Sequence, residues 1–150
     1  MSDGRTVPHG AAPTAIGLFE MALEVADLAV AERFYHEAIG LPVVARWEPP
    51  RPATWLALGR ESFLGLWPRE TGGDAAIHNG RGGVHVHFAI RVPNGTLDAI
   101  QARLEAFGLA VESGWDFGNG NRAIYLDDPD GNVVELTERT TLWDGEPATP

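Results

Sequence analysis

The chain has 150 residues, 44% of them hydrophobic, with 11 basic and 21 acidic residues and a formal net charge of −10. A chain of this size suits one soluble unit, and the absence of cysteine excludes disulfide and thiolate chemistry. The acidic balance argues against nucleic acid and anionic membrane as partners and is compatible with a cationic ligand.

Residues 1–15 hold Gly, Pro, Ala and Thr without an apolar segment. They read as a flexible N-terminal tail without a signal peptide. No apolar run approaches about 18 residues anywhere, so no membrane span is expected and the expected location is cytoplasmic. From Leu18 to Val25 the residues alternate: Met21, Leu23 and Val25 share one face, and Glu20, Ala22 and Glu24 the other. Asp27 stands where an N-cap belongs, and Val30, Phe34 and Ile39 give residues 28–39 helical periodicity, stopped by Gly40-Leu41. Strands are expected at residues 41–47, 53–58 and 62–67, completing a βαβββ module over residues 16–68. Residues 69–83 hold five glycines and read as a connector.

The second module spans residues 84–139 and repeats the order. Along residues 84–92, Phe88, Ile90 and Val92 occupy one face, and His85, His87 and Arg91 the other. A helix is expected over residues 96–107, stopped by Gly108-Leu109, 68 residues after the first Gly-Leu pair. A repeat of this length indicates two copies of one supersecondary unit, neither able to bury its sheet alone. A strand at residues 109–115 follows. Asp128-Pro-Asp-Gly-Asn is then a tight turn, leading into a strand that carries Glu135 between apolar neighbours. Residues 140–150 form a C-terminal tail. The fold class is α+β: paired βαβββ modules, with mixed curved sheets enclosing a cleft and the helices outside.

This arrangement resembles the vicinal oxygen chelate superfamily, which includes glyoxalase I, extradiol dioxygenases, fosfomycin-resistance proteins, methylmalonyl-CoA epimerase and bleomycin-resistance binding proteins. The resemblance covers about residues 17–138. It is carried by Glu135 in Asp-Pro-Asp-Gly-Asn-Val-Val-Glu-Leu, His87 in His-Phe-Ala-Ile-Arg-Val, the Glu20–Asp27 strand, Arg33-Phe34-Tyr35 and Gly40-Leu41. It implies a small-molecule ligand, a homodimer and a divalent metal (Zn, Ni, Mn or Fe) held by Glu20, His87 and Glu135. Glu135 and Glu20 are also the candidate catalytic carboxylates. The fourth ligand position falls on Gly65, which leaves the site open to water or substrate. Glu20 replaces the usual His of the dioxygenase triad, so isomerase or lyase chemistry is favoured over dioxygen chemistry.

Electrostatics lead to related alternatives without the resemblance. If Glu20, Glu24 and Glu135 face one cleft, they require a metal, a cationic ligand or a raised pKa. His85 is a candidate proton shuttle or substrate contact, although a rim position is its plainer reading. Arg91 is a candidate anchor for an anionic group. Trp67 and Phe63 share the parity of Gly65. With Tyr125 on a central strand, they offer rings to a planar ligand, or ordinary packing. No phosphate loop and no Gly-x-Ser-x-Gly elbow is present. The leading expectation is a metal-dependent enzyme acting on a small oxygenated substrate. The alternative is a metal-free protein of the bleomycin-resistance kind that binds a cationic or aromatic molecule.

Overall fold

A computed structural model describes residues 15, 17–69, 87–112, 114, 116–142 and 145–148. Its first half comprises β1 (Glu20–Val25), α1 (Leu28–Glu32) with a π-helical continuation (Arg33–Ile39), β2 (Val43–Trp47), β3 (Ala53–Leu58) and β4 (Ser62–Pro68). The second comprises β5 (Phe88–Arg91), α2 (Leu97–Ala106), β6 (Arg122–Asp127) and β7 (Val133–Glu138). The strand order is β1-β4-β3-β2 in one sheet and β5-β7-β6 in the other. In each, the first strand lies parallel to the last and the rest is antiparallel. The internal repeat is therefore visible as repeated topology.

One element differs from the sequence expectation. Residues 109–115 do not form a full strand among the described residues. Pairing there reduces to isolated bridges, Glu112 with Tyr125 and Asp116 with Arg122. The Cβ of any residue other than glycine at position 114 would run into the Ala123 carbonyl. Seven strands, not the expected eight, are thus described.

Local chemistry explains the helix boundaries. Asp27 caps α1, its carboxylate accepting the Val30 N–H at 3.0 Å. Gly40 ends the π-helical segment at φ +96°, a left-handed conformation that suits glycine. The end is closed from the other module: Arg103 of α2 donates to the Ala38 and Ile39 carbonyls at 3.0 and 2.5 Å. Those carbonyls would otherwise lack partners within their own helix. At the N-terminus of α2, the Leu97 N–H donates to the buried Glu138 carboxylate at 2.8 Å.

A single core cluster draws on both modules, with Leu23, Val25, Phe34, Tyr35, Leu56, Leu64 and Leu66 from the first and Leu104, Ile124, Leu126, Val134 and Leu136 from the second. Met21, Phe88, Ile90 and Val92 pack against it. Both apolar faces read from the sequence are thus the core faces. The Asp128-Pro-Asp-Gly-Asn turn ties the modules together. The Asp128 carboxylate accepts the Tyr35 hydroxyl at 2.6 Å, the backbone N–H of Asp130 and Asn132 at 2.9 and 2.8 Å, and the Asn132 amide at 2.9 Å. Asp130 accepts the Ala26 N–H at 2.9 Å. Burial, reinforced by the Asp128 charge, pushes the Tyr35 hydroxyl well above its ordinary value.

Candidate functional site

The second sheet carries a buried carboxylate. Glu135 lies in the middle of β7, in register with Ala89 on β5 and Tyr125 on β6. Val134 and Leu136, its neighbours in the strand, face the core, so its own side chain leaves the opposite face. That side chain is only 5% exposed, and its Oε2 lies 2.9 Å from Nε2 of His87, the residue preceding β5. The Tyr125 ring meets the His87 ring edge-on, with centroids 5.6 Å apart. Burial, then the charge of Glu135 and a hydrogen bond to it, raise the Tyr125 hydroxyl above its ordinary value. Tyr125 is therefore a protonated donor at neutral pH.

The other oxygen of Glu135 is buried and has no hydrogen-bond partner among the described residues. Arg139 comes nearest, with Nη2 at 3.6 Å from Oε1. This distance gives electrostatic attraction but exceeds a hydrogen bond. The Arg139 guanidinium also lies over the Phe117 ring, 4.7 Å from its centroid. Arg139 has the strand parity of Glu135 but lies one residue past the end of β7, and the sequence reading did not single it out.

Glu20 belongs to the other sheet. It is exposed on β1, in register with Phe63, on the face opposite Leu23 and Val25. Among the described residues, no group of three or more His, Cys, Asp or Glu is placed to hold a metal ion. The shared core accounts for this. Both modules turn their apolar faces toward it, so their polar faces, with Glu20 on one and His87 and Glu135 on the other, point away from it. The structure thus joins His87 to Glu135 and leaves Glu20 apart from them within one chain.

The remaining candidates separate in the same way. Trp67 stands beside Trp47 and Trp55 on the first sheet, with ring centroids 5.6 and 5.7 Å away. Phe63 packs edge-on against Phe19. Arg91 is exposed at the far end of β5, opposite Thr137. His85 lies outside the described residues. The partners of Trp67 are legible only once the β2–β3–β4 register is known.

A family model for the Glyoxalase/Bleomycin resistance protein/Dioxygenase superfamily matches residues 17–136. The chain belongs to this superfamily. Among curated members, it is 27% identical over 124 residues to the glutathione transferase FosA of Serratia marcescens, covering 79% of this chain and 78% of that protein. Of the solved structures, the lactoylglutathione lyase of Agrobacterium tumefaciens superposes with a TM-score of 0.64 at 27% identity, covering 84% of this chain and 96% of that one. TnmS3, an antibiotic binding protein from Streptomyces sp. CB03234, superposes with a TM-score of 0.65 at 25% identity, covering 85% and 98%. The superfamily scaffold thus carries both transferase or lyase and ligand-binding members, and the site must decide between such roles.

Proposed function

We propose that the chain is a divalent-metal-dependent enzyme of the glyoxalase type, an isomerase or lyase acting on a small oxygenated molecule. The observation that carries this reading is the Glu135 carboxylate, buried, in contact with one imidazole and with one oxygen left unpaired. An unpaired buried carboxylate oxygen costs about 1–3 kcal/mol, more where it is charged, and is retained where something occupies it. Two atoms that share one ion at about 2.0–2.2 Å lie roughly 3 Å apart. The 2.9 Å approach of His87 to Glu135 fits that spacing. His87 and Glu135 would hold the ion from one chain. Glu20 of a second copy would complete the set, since within one chain Glu20 lies on the other sheet.

A bound ion would supply Lewis-acid polarisation of substrate oxygens. The protein's own residues do the rest. His87 is restrained by the edge of Tyr125. Tyr125 remains protonated and donates a hydrogen bond. Arg139 draws Glu135 toward one orientation. Glu20, exposed in the single chain, would serve as the general base that takes a proton from a substrate carbon. In this reading the enzyme is cytoplasmic and homodimeric.

The test is elemental analysis of protein purified without chelator, followed by turnover of α-hydroxy and α-keto compounds after chelation and metal replacement. Activity should vanish on chelation and return with the ion. Turnover that persists in excess chelator would sink the proposal. So would protein that binds small molecules tightly but yields no product with any divalent ion.

A further inference from the structure

We propose that Arg139, seated on the Phe117 ring, is the specificity-determining residue of this site. It holds the ionised carboxylate of the substrate, which is then a small α-hydroxy or α-keto acid rather than a neutral alcohol, aldehyde or ketone. The inference deepens the enzyme reading above and rests on it. Its starting point is a pair of groups that face each other without satisfying each other. Oε1 of Glu135 is buried and has no hydrogen-bond partner among the described residues. Nη2 of Arg139 stands 3.6 Å from it, beyond hydrogen-bond reach. A guanidinium presents its N–H donors as a planar fork. Among the described residues, those of Arg139 meet no acceptor at hydrogen-bond distance. Arg46, Arg103 and Arg122, by contrast, each hydrogen-bond a carboxylate or carbonyl of the protein.

The local fold builds this arrangement. Arg139 follows β7 directly. The next residue, Thr140, is tied through both backbone and side chain. Its N–H donates to Oδ1 of Asn121 at 2.9 Å, and its hydroxyl donates to the Asn119 carbonyl at 2.8 Å. The same turn carries Phe117, whose N–H donates to the Asn121 carbonyl at 2.9 Å. Asp116 braces the turn by accepting the Gly118 N–H at 2.7 Å. One turn thus fixes both the ring and the backbone next to Arg139. The guanidinium carbon lies 4.7 Å from the Phe117 centroid, close enough for cation–π attraction. That contact holds the guanidinium beside Glu135 but short of it. The Arg139 side chain is 36% exposed and Phe117 is exposed as well, so a ligand reaches the fork from solvent.

The chemistry of the ligand follows from the fork. The planar donors of arginine match the two oxygens of a carboxylate, and stacking on a ring orients them before the ligand arrives. Preorganisation of this kind lowers the ordering cost of binding. A guanidinium placed only to neutralise Glu135 would donate to the unpaired oxygen directly; the ring of Phe117 keeps it back. In a chain of net charge −10, donors left open beside a buried site give an anionic group a place to bind. An acid with an oxygen on the adjacent carbon would suit both groups. Its carboxylate would take the donors of Arg139, and its second oxygen would turn toward His87 and Glu135. A neutral substrate of the same shape would leave the fork unpaired and be discriminated against for that reason.

The experiment compares glycolate with glycolamide, its neutral counterpart, on the full chain. Zinc affinity is measured first for each variant by calorimetry. Both ligands are then titrated into zinc-loaded protein, and again, by NMR, into protein in excess chelator. Arg139→Gln should weaken glycolate by at least about 10-fold, as loss of a charge-assisted fork implies, and change glycolamide by less than about 2-fold. Arg139→Lys should keep part of the affinity, as a point charge without the fork. Phe117→Leu should weaken glycolate by roughly 3-fold. Zinc affinity should stay within about 3-fold of wild type in all three, because Arg139 makes no hydrogen bond to Glu135. Parallel loss of zinc, glycolate and glycolamide would make Arg139 a positioning residue for Glu135 and overturn the proposal. Unchanged glycolate binding, or equal loss of both ligands at unchanged zinc affinity, would overturn it too. In chelator, wild type should still bind glycolate more tightly than Arg139→Gln does. Wild type that takes up no zinc but keeps this difference would sink the enzyme reading and leave the anchor. Zinc uptake without a difference in the loaded protein would sink the anchor alone.

Discussion

At Glu135 and Tyr35, single side chains are held by contacts that make clear demands on substitution. Glu135→Gln keeps the volume but removes the charge beside His87. In the proposed enzyme it removes a charged metal ligand, so it should weaken metal retention by at least about 10-fold and lower kcat with it. Metal titration and steady-state kinetics would check this. Tyr35→Phe removes the donor to buried Asp128 and should cost about 1–3 kcal/mol at neutral pH, read by urea denaturation. The pH dependence has a definite sign. The folded state raises the Tyr35 hydroxyl well above its ordinary value of 10.0. Its contribution is therefore complete below about pH 10 and is lost as pH rises from there toward the higher folded value. The gap between wild type and Tyr35→Phe should narrow above pH 10. A gap that widened would contradict the buried Tyr35–Asp128 contact.

Elements depend on these residues through packing and end closure. Leu66 on β4 is fully buried in the core that both modules share. Leu66→Ala should cost about 2–5 kcal/mol, and because the core is common, unfolding should remain a single transition by calorimetry. Separate melting of the two modules would refute a shared core. Gly65 makes the opposite demand. Gly65→Val would press a branched side chain against Trp55 and Trp67, already within 3.2 Å of an added Cβ. Near-ultraviolet circular dichroism should change, with stability reduced by about 1–3 kcal/mol from overpacking. Arg103 shows how one element finishes another: its two bonds to Ala38 and Ile39 close the end of the first helix from the second module.

For the whole molecule, the question is how two outward-facing polar sheets form one site. If Glu20 of one copy serves His87 and Glu135 of another, two inactive variants should complement each other. Refolding Glu20→Gln with Glu135→Gln at equal ratio gives half mixed dimers, each with one of its two sites intact. About a quarter of wild-type activity should then return, by the symmetry of a twofold interface. A site built within one chain would show no recovery.

Much of this was legible in the sequence. Period-two alternation identified the core faces, because strand side chains alternate strictly. Thus Leu23 and Val25 are buried, while Glu20 and Glu24 are exposed. The spaced Gly-Leu pairs revealed the repeat, because a left-handed glycine is the ordinary way to end a helix. The His87–Glu135 approach could be suspected from shared parity and motif position. Other features depended on distance in space. Asp128 looked like a turn residue and also proved to be the buried acceptor for Tyr35, a partner 93 residues away. Three tryptophans in separate strands became one cluster only through the β2–β3–β4 register. Glu20 shares its parity with a site face but not its place, because burial of both apolar faces in one core turns the two polar faces outward. Alternation along a strand is a local property and can be read residue by residue. Which faces meet depends on how whole sheets bury their apolar area, and that is decided only by the packed chain.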